Sequence, residues 1–147
     1  MACSMRADVP CPAARLVVNS DPLSIRQGLE QLSQTALIGE LTPPCRNIVE
    51  IVLAEVLNNI VEHAYANSSG KIEVEIQLAD GRLHCRFADS GAPMPNGILP
   101  DGSLPVLDRT DPPEGGFGWH LIRTLADNLA YCRQGNRNLL CLSLNRE

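Results

Sequence analysis

The stretch Leu53 to Tyr65, LAEVLNNIVEHAY, preceded by Val49 and Val52, restricts this chain more than any other part of it. At about 100° per residue, a helix here carries Val49, Val52, Leu53, Val56, Leu57, Ile60 and Ala64 around most of its circumference, so it needs neighbours on several sides. One narrow stripe stays polar. Glu55 and Asn59 are four positions apart and lie within about 40° of each other, and Glu62 returns to the same side a turn later. Asn58 falls off that stripe and points elsewhere. A carboxylate and a carboxamide on a packed helix must face water or a ligand.

The rest of the chain supplies the packing. Ala14 to Asn19 is short and valine-rich, as a first strand would be. Ser20 or Asp21 caps a helix with Pro22 in its first turn and an apolar face of Leu23, Ile25, Leu29, Leu32 and Leu37, ending near Gly39. Thr42, ahead of Pro43 and Pro44, starts the central helix, which runs to about Ala66. Lys71 to Leu78 alternates apolar and polar residues, Asp80-Gly81 makes a hairpin turn, and Arg82 to Ala88 is the partner strand. Leu121, Ile122, Leu125 and Ala126 predict a short helix over Gly118 to Asn128. Asn128 to Arg133 and Asn138 to Leu144 predict a last hairpin around Gly135-Asn136.

Ala92 to Glu114 is interrupted by Pro93, Pro95, Pro100, Pro105, Pro112 and Pro113, so no regular structure is expected there. A loop of that length inside a compact domain serves as a lid or is disordered, which marks residues 92–115 as a lid. With residues 1–13 as a flexible tail, residues 14–147 form one domain of the α/β class. Its expected form is a two-layer sandwich, a mixed and mainly antiparallel sheet with helices on one face.

At 147 residues and 44% hydrophobic content the chain can bury a proper core. A net charge of −5, with Lys71 the only lysine, argues against nucleic acid as a partner and for proteins or small molecules. Cys3, Cys11, Cys45, Cys85, Cys132 and Cys141 lack C-x-x-C pairing, so free thiols in a reducing cytoplasm are expected, with no zinc site. No apolar run reaches membrane-spanning length, and a soluble cytoplasmic protein follows as the expectation.

Two further segments bear on the Glu55/Asn59 stripe. In CRFADSGAPMP, Asp89 ends a strand and Ser90-Gly91 turns away from it, which can be a plain turn or a ligand contact. In EGGFGWHLIRTLAD, Gly115, Gly116 and Gly118 open an amphipathic helix whose free N–H groups suit a polyphosphate. There is no G-x-x-x-x-G-K-[ST] loop and no strand lysine beside a glycine run, so neither a P-loop nor a eukaryotic-type protein kinase is indicated.

In this order and spacing, the three segments resemble the N box and the two glycine boxes of the ATP-binding superfamily shared by gyrase, the ninety-kilodalton heat-shock chaperone, histidine kinases and MutL, whose domain has the Bergerat-type fold. They look closest to its anti-sigma-factor serine/threonine kinase branch. The resemblance spans Leu16 to Leu144.

It implies that Asn59 offers its amide oxygen to Mg²⁺ and that Glu55, a turn earlier, is the general base toward a serine or threonine hydroxyl. It also implies ATP and ADP as ligands, bound by Asn59, His63, Asp89, Gly91, Gly115, Gly116, Phe117 and Gly118. Asp89 would take the exocyclic amine of adenine, and Gly91 would let the backbone approach the base. His63 can equally pack at the helix end, and Arg109 and Arg123 can approach the phosphates. Pro93 stands where the wider superfamily often has a glycine. The implied partners are an anti-anti-sigma protein as substrate and a sigma factor, with a homodimer as the implied assembly. A non-catalytic, nucleotide-gated binding regulator is the alternative.

Overall fold

A computed structural model describes residues 13–102 and 117–146. Residues 1–12, including Cys3 and Cys11, and residues 103–116, including Arg109, Gly115 and Gly116, lie outside the described residues. The expected tail gives up Ala13, which opens the first strand, β1 (Ala13–Asn19).

Asp21 caps α1 (Pro22–Ser33), its Oδ1 accepting from the Ser24 N–H at 2.8 Å. The single helix expected as far as Gly39 is instead two, because Thr35 adopts an extended backbone and donates its hydroxyl to the Leu32 carbonyl at 2.7 Å. A hydroxyl bonded to the backbone in this way competes with the helical ladder. After the break comes α2 (Ala36–Gly39).

Thr42 caps α3 (Pro43–Asn59), accepting from the Cys45 N–H. The α-helical spacing does not run on to Ala66. Residues Ile60–Ala64 form a widened π turn in which the Tyr65 N–H donates to the Ile60 carbonyl at 3.0 Å.

Then follow β2 (Lys71–Ala79) and β3 (Arg82–Asp89), joined through Asp80 and Gly81, both at positive φ. The described part of the next loop holds only a single 3-10 turn, Pro95–Gly97. The chain returns as α4 (Phe117–Leu125), β4 (Asp127–Gln134) and β5 (Arg137–Asn145). α4 stops short of Asn128, which takes a φ of 55° beside a break in the β4–β5 register.

The strands make one five-stranded sheet in the order β1-β2-β3-β5-β4. Every pairing is antiparallel, so the mainly antiparallel sheet expected carries no parallel pair among the described residues. Alternation sets the layers: Leu16, Val18, Ile72, Val74, Ile76, Leu83, Cys85, Phe87, Leu140, Leu142 and Leu144 join Val49, Val52, Leu53, Val56 and Leu57 of α3 in one core. Each such fully buried apolar side chain contributes about 1.5–3 kcal/mol. Arg15, Glu73, Glu75 and Arg86 lie on the other face.

Cys45, Cys85 and Cys132 are free thiols as expected, whereas Cys141 is disulfide-bonded. No C-x-x-C spacing surrounds Cys141 in the sequence. Among the described residues no helix is long and apolar enough to cross a membrane.

Candidate functional site

The last α-helical residue of α3 is Asn59, which is 6% exposed and whose Nδ2 has no hydrogen-bond partner among the described residues. An orphaned buried amide costs about 1–3 kcal/mol, a burden that a ligand can relieve. Glu55, half-buried, lies one turn earlier. The first turn of α4 closes on both side chains. A Cβ at Gly118 would lie 2.7 Å from Glu55 Oε2 and 3.3 Å from Asn59 Oδ1, so glycine lets the helix come this near without displacing either side chain.

Beyond Asn59 the widened turn changes the frame. Glu62 and His63 are exposed, and both border the same cavity as Asn59. The turn also frees the Ala64 carbonyl, which accepts from the Ala92 N–H at 2.8 Å. Gly91 fits tightly against it: a Cβ there would meet the Ala64 oxygen at 2.4 Å. The close approach at Gly91 is thus to the protein's own backbone, and Gly91 is not among the residues bordering the cavity. Tyr65 secures the same corner, its hydroxyl donating to the Lys71 carbonyl and accepting from the Ser90 N–H, each at 2.8 Å. Burial pushes its phenol above the usual range.

Asp89, at the end of β3, is 4% exposed. Its Oδ1 accepts from the Gly91 N–H at 2.9 Å and from Asn138 Nδ2 at 2.8 Å. Asn138 also donates to the Ala92 carbonyl, while its Oδ1 accepts from the Tyr131 hydroxyl and Arg133 Nη1. Arg133 Nη1 donates in addition to the Gly91 carbonyl at 2.6 Å.

These elements enclose a cavity of about 510 Å³. Asn59, Ile60, His63, Asp89, Asn138 and Leu140 line it, together with Pro93, Met94, Pro100 and Trp119. The volume lies in the range of about 300–1,000 Å³ usual for small-molecule and cofactor sites.

Of the residues singled out from sequence, Asn59, His63 and Asp89 border this one cavity, and Glu55 and Gly118 adjoin it through Asn59. Phe117 opens α4, its side chain lying outside the described residues, as do Gly115 and Gly116. Arg123 donates its Nε to the Pro100 carbonyl at 2.8 Å, and the His120 ring lies against the Gly102 carbonyl. Both ties hold α4 to the loop.

Among the described residues no group of three or more His, Cys, Asp or Glu could hold a metal ion. The donors present, the Asn59 amide with Glu55 and Glu62 nearby, suit Mg²⁺, which takes one or two protein oxygens and completes its shell with phosphate and water.

Sequence reasoning missed Asn138, Tyr131, Arg133 and Tyr65. Asn138 looks like a hairpin residue, and only the β3–β5 register, which pairs it with Asp89, reveals its place.

Residues 18–144 match the model of the histidine kinase-like ATPase domain family. The serine-protein kinase RsbW of Bacillus thuringiensis (strain Al Hakam) is 34% identical over 87 residues, and that of Bacillus anthracis is 34% identical over 85. These matches cover 55% of this chain and 52% of each relative, so the chain spans about half the length of the curated relatives it matches. Among solved structures, the RsbU and RsbW domains of Rv1364c from Mycobacterium tuberculosis superpose with a TM-score of 0.63 at 18% identity, over 92% of this chain and 33% of that one. A blue-light activated histidine kinase from Erythrobacter litoralis gives 0.53 at 17% identity, over 73% and 32%. At these identities the likeness shows the fold.

Proposed function

The chain belongs to the histidine kinase-like ATPase domain family, and from that premise we propose that it is an ATP- and Mg²⁺-dependent serine/threonine kinase acting on an anti-anti-sigma partner, with a second role in holding a sigma factor. One observation carries the reading. Asn59, whose Nδ2 has no hydrogen-bond partner among the described residues, lies beside Glu55, under the first turn of α4, and lines a cavity that Asp89 also lines.

In this reading Asp89 accepts the exocyclic amine of adenine, and the part of the cavity lined by Asn59 and His63 takes the phosphates. Asn59 Oδ1 would hold Mg²⁺, which when bound neutralises phosphate charge. Glu55 accepts the proton of the attacking serine or threonine hydroxyl as its oxygen bonds to the terminal phosphorus. The bond from that phosphorus to the bridging oxygen breaks, and ADP leaves with the electron pair. Support for the protein substrate comes from the relatives named serine-protein kinase RsbW.

The test is phosphate transfer from ATP to an anti-anti-sigma protein. Glu55→Gln is expected to bind Mg·ADP within about threefold of wild type while losing a factor of about 10²–10⁴ in turnover. Full activity in Glu55→Gln overturns the assignment of the base.

The ties from Arg123 and His120 to Pro100 and Gly102 favour a second reading, in which nucleotide binding sets the loop and so creates a docking surface without catalysis. Wild type that binds Mg·ATP, responds to it in partner affinity and transfers no phosphate would select that reading.

A further inference from the structure

Asn138 is 5% exposed, and every hydrogen-bonding position of its amide is taken. Nδ2 donates to Asp89 Oδ1 and to the Ala92 carbonyl, both at 2.8 Å. Oδ1 accepts from the Tyr131 hydroxyl at 2.5 Å and from Arg133 Nη1 at 3.1 Å. The reversed amide would set oxygen against a carboxylate and a carbonyl, and nitrogen against a guanidinium, so the partners fix its orientation.

Resting on the nucleotide reading of this cavity, we infer that Asn138 is the positioning residue for base selection. With no bonding capacity left, it cannot read a base itself and acts through Asp89. Two donors, the Gly91 N–H and Asn138 Nδ2, fall on Oδ1, and among the described residues no hydrogen bond falls on Oδ2. The carboxylate is thereby turned so that a single acceptor oxygen remains for a ligand. A 6-amino purine satisfies that oxygen, whereas a 6-oxo purine sets oxygen against oxygen.

The same amide fixes the adjacent wall. It holds the Ala92 carbonyl, and its partner Tyr131 accepts from the Met94 N–H at 2.9 Å. Pro93 and Pro95 have no N–H, so between them the Met94 N–H is the one backbone donor, and it goes to Tyr131. Base recognition and wall position therefore meet on one side chain.

The experiment measures Mg·ATP and Mg·GTP affinities by calorimetry for wild type, Asn138→Leu and Asn138→Ala, with circular dichroism to confirm folding. Removing the donor should lower the preference for ATP over GTP by about tenfold or more, the scale of a buried hydrogen bond to a charged group. Equal loss for both nucleotides, with the preference intact, means a structural role only and overturns the inference.

Hydrogen exchange at the Met94 amide of wild type needs no variant. ATP should slow it more than GTP does at equal saturation, and equal slowing likewise overturns the inference. Wild type that binds no nucleotide, or an Asp89→Asn variant that binds as wild type does, sinks the nucleotide reading and this inference with it. Asp89-dependent ATP binding, with a preference indifferent to residue 138, sinks this inference alone.

Discussion

Replacing Gly91 with alanine tests the corner of the site without assuming any activity. The added Cβ would lie 2.4 Å from the Ala64 oxygen, 2.6 Å from its carbonyl carbon and 2.8 Å from its Cβ. These are atoms of the backbone or fixed directly to it, so no rotamer change relieves the contact and the loop must withdraw by about 1 Å. Overpacking of this kind costs about 1–3 kcal/mol. The withdrawal also strains the bond from the Ala92 N–H to the Ala64 carbonyl, worth about 1 kcal/mol.

The sum is about 2–4 kcal/mol, or about 5–15 °C in Tm for a chain of this size. Urea unfolding followed by circular dichroism should show a lower midpoint with the slope unchanged. Gly39→Ala is the companion measurement. A Cβ there meets nothing within 4 Å, so it should be neutral or stabilising by up to about 1 kcal/mol. A Gly91→Ala protein within about 0.5 kcal/mol of wild type would refute the claim that Ala64 leaves no room.

At Gly118 the obstacle is different, because Glu55 Oε2 is the end of a flexible side chain and yields by about 0.7 Å to reach ordinary contact. Gly118→Ala should therefore fold normally and bind Mg·ADP within about threefold, yet lose about 10–100-fold in phosphate transfer, as misplaced reacting groups do. Unchanged turnover would show that this contact does not set the position of Glu55. Burial pushes the Cys85 thiol up to about 12 from an ordinary 9.0. Its folded value being the higher, the associated stability is complete below about pH 9 and is lost as pH rises toward 12. Iodoacetamide at pH 8 should accordingly label the half-buried Cys132 of the native protein and spare Cys85 until it unfolds. Equal labelling by mass spectrometry would contradict that burial.

What could be seen in the sequence followed from periodicity. The apolar girdle of α3, the β2–β3 hairpin and the stripe of Glu55 and Asn59 each obey a local repeat, and each stands where that repeat puts it. The repeat fails where a competing bond intervenes. The hydroxyl of Thr35 ends α1 early, and after Asn59 the α-helical spacing gives way to the widened turn of Ile60–Ala64. The Asp89–Asn138 bond joins residues 49 positions apart, and Tyr65 reaches Ser90 across 25, distances over which no pattern in the string signals a partner.

The floor of the cavity and its walls are built on different terms. Asp89 and Asn138 face each other across β3 and β5, strands that each have a neighbour on both sides. They cannot part without tearing the middle of the sheet. The wall at Ala92 to Met94 hangs instead from a few side chains and one backbone bond. An arriving molecule would find one end finished in advance, and whatever tailoring it requires falls to the other.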